Sequence, residues 1–367
     1  MSPNNKKLTV GILFGGKSAE HEVSLQSAKN VYDAIDRDKF EPVLIGIDKG
    51  GKWHSMGDSL SLLNSGDPRR ISMNSSGGPV ALVPESEGLL TESGLKLDVV
   101  FPILHGPFGE DGTIQGLLKL ADVPFVGAGV LGSAVGMDKD VMKRLLRDAG
   151  IPIGKFLTFR AHEPLPSFAE VKTTLGIPAF VKPANMGSSV GISKAHNESE
   201  FSAAVREAFQ YDVKIVIEEY IKGREIECAV LGNENPEASV PGEIIPTHEF
   251  YSYEAKYLDE NGAALEIPAK LDAETRKRVQ ELSVKAFQTL CCEGLARIDF
   301  FLKENGEILL NEINTMPGFT KISMYPKLWE ASGGAGGGIG YTELISRLIE
   351  LAVKKFEKEK GLKITYV

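Results

Sequence analysis

The sequence predicts an α/β fold for the first third of the chain, followed by two regions in which strands and helices are mixed. In the first third, continuous apolar runs are joined by helices, a pattern typical of a parallel sheet that is buried on both faces. The order of elements changes after about residue 128 and again after "KGRE" (222–225). We therefore predict boundaries near 128 and near 221, which give units of 1–128, 129–221 and 222–367.

Length and composition are those of a multidomain globular protein. The 367 residues correspond to two or three domains of about 100–200 residues each. A net charge of -9 with no basic stripe argues against a general nucleic-acid-binding protein. The N-terminus lacks a secretory signal pattern, and no apolar run approaches the roughly 20 residues of a membrane span. Cys228, Cys291 and Cys292 lack metal-ligand spacing, and an adjacent pair is a poor disulfide, so we expect free thiols in a reducing cytoplasm.

Each element of the first unit follows from its local pattern. The run "LTVGILF" is apolar and β-prone, and further continuous strands follow after a helix and after a Ser/Gly/Pro-rich passage at 55–79. A polar loop, "HGPFGEDG" (105–112), precedes the last helix. The predicted strands are 8–14, 41–48, 97–104 and the short "PFVG" (124–127), and the predicted helices are about 23–36 and 113–121.

The stretch "GILFGGKS" (11–18) fits the phosphate-loop pattern G-x-x-x-x-G-K-[ST], but its context argues against that function. A phosphate loop requires the preceding strand to end before the first glycine. Here the strand pattern continues through Gly11, which leaves only Gly15 to Ser18 for a turn too short to wrap two phosphates. A nucleotide site is therefore expected elsewhere in the chain.

The later units also have readable boundaries. "MDKDVMKRLLRDAG" (137–150) is an amphipathic helix that is closed by glycine. The glycine-rich segment 333–340 is expected to form a mobile surface loop, because glycine loses much conformational entropy on ordering. The remaining predicted strands are 179–183, 190–195, 213–221, 225–231 and 239–245, and the remaining helices are 198–209 and 273–291, with a polar, aromatic-rich loop at 247–266.

The segment "RIDFFLKENGEILLNEIN" (297–314) predicts a β-hairpin. Two apolar runs flank Asn305-Gly306, a pair that favours a two-residue type I′ turn with Glu304 opposite Glu307. Counting back from that turn pairs two polar residues of the first strand with two of the second. These pairs are Asp299 with Glu312 and Arg297 with Asn314, all on one face of the hairpin.

This polar face predicts a divalent-cation site. Facing carboxylates repel each other unless a proton or a cation lies between them. Asp299, Glu312 and the amide of Asn314 supply only hard oxygen donors, which suit Mg²⁺ or Mn²⁺. Magnesium that is held by few carboxylates usually also holds substrate phosphates. A nucleotide site is therefore predicted at this hairpin.

Two further segments have features of a nucleotide site. In "KPANMGSSVG" (182–191), Lys182 ends an apolar strand, and the following turn offers backbone N–H groups and hydroxyls to phosphate oxygens. In "VIEEYIKGRE" (216–225), the end of a strand could hydrogen-bond an adenine through its backbone.

Taken together, these segments resemble the ATP-grasp enzymes and, within them, the D-alanine–D-alanine ligases. The resemblance extends over nearly the whole chain and implies an N-terminal parallel α/β domain followed by two ATP-grasp α+β lobes. It rests on motifs in the expected order, which are "GGKSAEHEVSL" (15–25), "FPILHGPFGEDGTIQG" (101–116), "VGMDK" (135–139), "VKPANMGSSVGISK" (181–194), "EEYIKGRE" (218–225), "YSYEAKY" (251–257), "ARIDFF" (296–301) and "NEINTMPGFTKISMYP" (311–326).

The resemblance implies a two-step reaction and a role for each matching residue. ATP phosphorylates the carboxylate of one D-alanine, and the amine of a second D-alanine then displaces phosphate. The implied ATP-binding residues are Lys139, Lys182, Ser189, Glu218, Glu219, Ile221, Glu225 and Lys256, and the implied ligands of two Mg²⁺ or Mn²⁺ ions are Asp299, Glu312 and Asn314. The implied catalytic residues are Glu20, Ser188, Tyr257, Arg297 and Gly318, and the implied substrate-binding residues are Val23, His105, Ser323 and Met324.

Several functional alternatives differ in the chemistry that they require. Tyr257 lies on the predicted lid loop 247–266 and favours an amine acceptor, whereas a D-alanyl-D-lactate or D-alanyl-D-serine ligase on the same scaffold is the alternative. A phosphate-loop NTPase would depend on Lys17, and a non-catalytic nucleotide-binding protein would leave Arg297 and the metal face unexplained. The family resemblance also implies a homodimer.

Overall fold

The described residues form three β-sheets with helices packed against them. A computed structural model of the chain describes residues 6–56, 79–83, 87–88, 94–246 and 263–363. Within these ranges, none of the helices combines the length and the apolar composition that a bilayer crossing requires.

The first sheet is parallel except at one edge. Its strands are β1 (Leu8–Gly15), β2 (Phe40–Ile47), β3 (Trp53–Met56) and β4 (Val99–Ile103), and it is accompanied by helices α1 (His21–Ala34) and α2 (Thr113–Leu120). The strand order is β3-β2-β1-β4, with β1 parallel to β2 and β4 and with β3 antiparallel to β2. The prediction of a parallel α/β unit is therefore confirmed, while the edge strand β3 was not predicted. The predicted strand 124–127 is reduced to one bridge, between Phe125 and Val100.

The path of β1 confirms that "GILFGGKS" does not form a phosphate loop. Gly11 lies inside the strand, paired with Val43 on one side and Val100 on the other. The turn begins only at Gly15 and Gly16, which adopt φ angles of 93° and 94°.

The second sheet is antiparallel. Helices α3 (Val130–Met137) and α4 (Lys139–Asp148) lead into strands β5 (Phe156–Arg160), β6 (Ala179–Pro183), β7 (Ser193–Ala195) and β8 (Lys214–Glu219), with helices α5 (Phe168–Leu175) and α6 (Glu198–Ala208) between them. The strand order is β5-β8-β6-β7. The core of this sheet consists of buried side chains from residues 171–217 of the same unit, including Val181 and Ile217. The elements β5, α3 and α5 were not predicted.

The third sheet carries the predicted hairpin. Its strands are β9 (Arg224–Gly232), β10 (Glu237–Ala238), β11 (Gly242–Pro246), β12 (Ala263–Glu266), β13 (Gly294–Leu302) and β14 (Ile308–Asn314), in the order β12-β11-β9-β13-β14 with β10 on β9. Helix α7 (Ala273–Thr289) packs on one face, where Val279 and Phe287 join Ile298 and Phe300 in a buried cluster. The polar side chains of β13 and β14 therefore lie on the opposite face of the sheet.

The first and third sheets share one hydrophobic core. Helices α8 (Met324–Glu330) and α9 (Tyr341–Lys360) follow the third sheet, and Leu344 and Leu348 of α9 belong to the same buried cluster as Val10 and Phe101 of the first sheet. The predicted boundary near 221 falls between β8 and β9, and the boundary near 128 immediately precedes α3. The three-domain division itself stays a prediction.

The hairpin turn differs from the predicted two-residue turn. Leu302 pairs with Ile308, and the N–H of Lys303 donates to the carbonyl of Glu307 at 2.9 Å, so the loop is one residue longer. Gly306 alone in this loop has a positive φ, of 84°, whereas a type I′ turn would require one at Asn305 as well. The prediction that Glu304 faces Glu307 is therefore wrong.

The glycine-rich segment is packed rather than forming the loose surface loop that was expected. Residues Ala331–Gly336 form a 3₁₀ helix, and the N–H of Ile339 donates to the carbonyl of Trp329 at 3.0 Å. A Cβ at Gly338 would lie 2.0 Å from the carbonyl oxygen of Glu330. Glycine is thus required here because the chain passes directly over the end of α8.

We expect Gly338→Ala to lower the free energy of unfolding by about 1–3 kcal/mol, the usual cost of an overpacked contact. The control is Gly116→Ala, because a Cβ at Gly116 would meet nothing within 4 Å. Alanine within helix α2 should instead be neutral or stabilise by about 0.5–1 kcal/mol. Urea unfolding of both variants measures the difference, and equal stabilities would contradict the packing described for Gly338.

Candidate active site

The polar face of the β13–β14 hairpin has the composition that the sequence predicts. Arg297 pairs with Asn314, and Asp299 pairs with Glu312. These four side chains are partly buried, while Ile298 and Ile313 between them point into the core. A bulge at Asn311 produces this register, since Phe300 pairs with Leu310 and the next pair is Asp299 with Glu312.

Arg297 is held by two carboxylates. Its Nε and one Nη donate to the two oxygens of Asp299, both at 2.7 Å, and its Nε lies 3.0 Å from Glu227 Oε2. Burial would lower the pKa of Arg297, but the charges of Asp299 and Glu227 outweigh it and raise that pKa. The guanidinium is thus a fixed positive charge in the middle of an acidic face.

Glu227 is a site residue that the sequence analysis missed. It lies on β9, directly opposite Asp299 on β13, with its side chain 7% exposed. The alternation of Glu225 and Glu227 in "REIECAV" places both on the polar face. That pattern becomes informative only once β9 is known to pair with β13.

A buried cluster of lysines lies beside this face. Lys182 Nζ lies 2.6 Å from Glu218 Oε2, and Lys143 Nζ lies 3.2 Å from Glu218 Oε1. Lys139 Nζ donates to the carbonyl of Met186 at 2.6 Å. The charge of Glu312 acts on both Lys139 and Lys182, which places the cluster near the hairpin.

The ionisation of the cluster follows from burial and pairing. Burial would raise the pKa of Glu218, but the two lysine charges outweigh it and lower that pKa to about 2. Burial lowers the pKa of Lys139, whereas Lys182 has a raised pKa because Glu218 and Glu312 more than offset its burial. The cluster thus presents positive charge around one permanently ionised carboxylate.

The loop after β6 connects the lysine cluster with α1. Ser188 and Ser189 adopt left-handed backbone conformations, with φ angles of 49° and 61°. The hydroxyl of Ser188 donates to Glu20 Oε1. Non-glycine residues rarely adopt positive φ, and two in succession indicate a loop whose shape is set by function.

Glu20 lies at the start of α1 in a space formed by glycine backbones. Its side chain is buried, and a Cβ at Gly106 would lie 2.7 Å from its Oε2, while one at Gly187 would lie 3.2 Å away. Val23 is buried less than one helical turn later. The carboxylate is thus positioned between α1, the loop after β4 and the loop after β6.

His105 fixes the loop that contains Gly318. Its Nδ1 lies 3.0 Å from the carbonyl of Met316, which can only accept, so Nδ1 carries the proton. Its Nε2 lies 3.3 Å from Ser27 Oγ, and burial lowers the pKa of the imidazole. His105 is therefore a neutral side chain that joins α1 to the segment after β14.

Glu110, which the sequence analysis also missed, supports the same two loops. One of its oxygens accepts from the N–H of Gly106 at 2.7 Å, and the other accepts from the N–H of Met316 at 3.0 Å. Burial, together with the charge of Glu20, raises the pKa of Glu110 to about 8.

The predicted residues of the second substrate site lie at the N-terminus of α8. Ser323 Oγ accepts from the N–H of Thr320 at 3.0 Å, and a Cβ at Gly318 would lie 3.3 Å from this hydroxyl. The side chain of Met324 is buried in the core shared by the first and third sheets. A substrate contact by Met324 would thus have to come from its backbone.

The end of β8 carries the residues that were predicted to contact the nucleoside. Glu219 accepts a hydrogen bond from the N–H of Lys155 at 2.7 Å, and Ile221 lies against Gly154. Glu225 follows on β9, paired with Phe301 of β13. Glu225 remains close enough to the lysine cluster for its charge to help raise the pKa of Lys182.

The comparisons with known proteins agree with this geometry. Residues 9–128 match the family model for the D-ala D-ala ligase N-terminus, and residues 145–350 match that for the C-terminus. The chain belongs to the D-alanine–D-alanine ligase family. It is 57% identical over 97% of its length to a D-alanine–D-alanine ligase of Shouchella clausii, which is itself covered to 98%.

Two solved structures show the same fold. The D-alanine–D-alanine ligase from Coxiella burnetii superposes with a TM-score of 0.85 at 39% identity, covering 96% of each chain. The VanG D-Ala:D-Ser ligase from Enterococcus faecalis gives a TM-score of 0.82 at 36% identity, covering 95% of this chain and 100% of the other. The predicted family, fold class and ligase function are confirmed. ATP is the expected co-substrate of this ligase family.

Two residues that the family resemblance assigns to the lid cannot be placed. Lys256 and Tyr257 lie within 247–262, outside the described residues, as does most of the predicted lid loop 247–266. The loop prediction is wrong at 263–266, which form strand β12 paired with β11. The structure does bring Glu20 and Ser188, two of the implied catalytic residues, into direct contact.

The raised pKa of Glu110 predicts a pH-dependent stability. Between pH 4.5 and about 8 the folded ligase binds a proton that the unfolded chain has released, so the free energy of unfolding falls as pH rises. We expect wild-type stability to fall by about 3 kcal/mol more than that of Glu110→Gln from about pH 5 to about pH 8. Urea unfolding at both pH values tests this, and parallel pH profiles would contradict it.

Proposed function

We propose that this protein joins two D-alanines into D-alanyl-D-alanine, with formation of ADP and phosphate, as a step of peptidoglycan precursor synthesis. The first carboxylate is phosphorylated by ATP to D-alanyl phosphate, and the amine of the second D-alanine attacks that carbon. This chemistry requires phosphoryl groups to be held in a fixed position and an oxyanion to be stabilised.

The observation that carries the proposal is the juxtaposition of a cationic cluster and an acidic face. Lys139 and Lys182 supply buried positive charge for phosphate oxygens, and Asp299 and Glu312 face each other on the neighbouring hairpin. Arg297 lies within the acidic face, bonded to Asp299 and Glu227, as a charge able to bind the acyl oxygen in both steps.

ATP is proposed to lie between the second and third sheets. Lys139, Lys182, Lys256 and the N–H groups around Ser189 would bind its phosphates. Glu218, Glu219, Ile221 and Glu225 would contact the adenine and the ribose, with Glu218 contributing through its backbone because its carboxylate holds Lys143 and Lys182. Support comes from the positions of the described members of this set on α4, β6, β8 and β9 and in the loops that follow β6 and β8.

The donor set at the hairpin fits one or two Mg²⁺ or Mn²⁺ ions. Asp299, Glu312 and Asn314 offer hard oxygen ligands on one face. Magnesium held by few carboxylates usually also binds substrate phosphates, so phosphate oxygens would supply further ligands. When bound, such ions neutralise charge on the transferring phosphoryl group.

The two D-alanines are proposed to bind on either side of Arg297. Glu20 would hold the ammonium of the first, near Val23 and His105, with Ser188 and Tyr257 completing a hydrogen-bonded group. Ser323 and the backbone of Met324 would bind the second. Arg297 and the N–H of Gly318 would stabilise the oxyanion. A closed loop 247–266 would keep water from the acylphosphate.

A homodimer in the cytoplasm is also part of the proposal, as the family resemblance implies. Cys228, Cys291 and Cys292 are free thiols, as expected for a protein of a reducing compartment.

The alternative acceptors are D-serine and D-lactate. The similarity to the VanG D-Ala:D-Ser ligase, at 36% identity, makes D-serine a second acceptor to test. The higher identity to a D-alanine–D-alanine ligase, 57%, supports D-alanine as the acceptor.

The first experiment measures phosphate release from MgATP with D-alanine, with L-alanine, and with D-alanine plus an excess of D-serine or D-lactate, and identifies products by mass. We expect release that requires D-alanine and yields D-alanyl-D-alanine even under competition. Phosphate release that does not depend on D-alanine would contradict the proposal. If D-alanyl-D-serine or D-alanyl-D-lactate were the main product, the acceptor would be D-serine or D-lactate instead of D-alanine.

Glu312→Gln removes one of the two facing carboxylates and should lower turnover by about a hundredfold or more. Glu307→Gln, an exposed change in the same hairpin, is the control, and we expect it to change turnover by less than about twofold. Lys17→Ala should be equally mild. A severe loss in the Lys17 variant with normal turnover in the Glu312 variant would favour a phosphate loop instead.

A further inference from the structure

Lys143 is a buried lysine on α4 for which the proposed mechanism has no role. Its side chain is 3% exposed, and it lies one helical turn after Lys139. Burying an ammonium is costly unless it is paired and hydrogen-bonded. Here the pairing comes from Glu218 Oε1, at 3.2 Å, and from the carbonyl of Asn311, at 3.3 Å.

Both partners of Lys143 belong to the nucleotide site. Glu218 uses its other oxygen to hold Lys182 at 2.6 Å. Asn311 is the bulge residue of β14 that shifts the register so that Glu312 faces Asp299. One ammonium thus connects the lysine cluster to the point of the backbone that orients the acidic face.

We propose that Lys143 is a positioning residue that keeps the phosphate-binding Lys182 and the metal-binding Glu312 at a fixed separation. The inference rests on the proposed function for these two residues. Without Lys143, Glu218 would retain one cation instead of two and would draw the Lys182 ammonium away from a phosphate. The bulge carbonyl would at the same time lose the donor that ties it to α4.

A purely structural role makes a different prediction. Lys143 Nζ also lies 5.9 Å from the centre of the Phe156 ring, and the buried side chain as a whole contributes to packing. If Lys143 contributed only packing, its replacement would lower the free energy of unfolding and would weaken the binding of every ligand equally. A positioning role instead weakens recognition of phosphate and leaves recognition of the nucleoside unchanged.

The experiment measures, by calorimetry on the full chain, the affinity for adenosine and for the β,γ-imido analogue of ATP with and without Mg²⁺. Lys143→Met removes the ammonium and keeps the stem, and Lys143→Gln is a second uncharged variant in case the first does not fold. The matched control is Lys355→Met. Lys355 is likewise buried between a carboxylate and a carbonyl, those of Glu293 and Gly127, each at 3.1 Å.

We expect Lys143→Met and Lys143→Gln to bind the imido analogue about tenfold or more weakly, the loss expected for a charge-assisted hydrogen bond, while binding adenosine within about twofold of wild type. The gain in affinity from Mg²⁺ should also be smaller than in wild type. The double variant Lys143→Met/Lys182→Met should bind the imido analogue only slightly more weakly than Lys182→Met alone. Lys355→Met should lower stability and leave all affinities unchanged.

Equal losses for adenosine and for the imido analogue would overturn the inference, as would wild-type affinity for both. If Mg²⁺ raised the affinity for the imido analogue as much as in wild type, the proposed link between Lys182 and Glu312 would be overturned. Product formation by the wild-type chain tests the proposed function separately. A wild-type protein that binds the analogue without ligase activity rejects that function, and the affinities still decide the role of Lys143.

Discussion

The antiparallel pairing of β13 with β14 is the constraint on which the rest of the site depends. It brings two carboxylates, a guanidinium and an amide together on one face, although like charges on facing strands repel each other. That face is stable because Arg297 lies among the acids and because the opposite face is closed by the apolar cluster beneath α7. The apolar packing on one face of the sheet thus offsets the repulsion between the carboxylates on the other face.

Each central charged group of the site is balanced by two side chains of opposite charge. Arg297 is shared by Asp299 and Glu227, and Glu218 is shared by Lys143 and Lys182. Each central group is buried, so an unpaired member would carry a large desolvation cost. The acidic and basic clusters are neighbours, so the phosphate and metal of the proposed function could enter together without leaving either cluster uncompensated.

Much of this arrangement is local in sequence and was therefore predictable. Alternation with period two placed Asp299 and Glu312 on one face without any tertiary information. The predicted turn was one residue too short, yet the pairing was right, because the bulge at Asn311 compensates for the longer loop. Glu227 and Lys143 were missed because their roles depend on contacts with residues distant in sequence, on β13 and β14. Strand β5 was missed because its residues are only partly buried, which leaves no clear alternation.

The separate hydrophobic core of the second sheet has a consequence for cooperativity. The first and third sheets share buried side chains, whereas the cluster around Val181 and Ile217 is built from its own unit. Such a unit can open locally at a lower free energy than global unfolding, which amide hydrogen exchange would register as an independent foldon. Lys182 lies on this unit and Glu312 on the other, so a nucleotide bound as proposed would contact both. Its binding energy would then also oppose local opening of the second sheet.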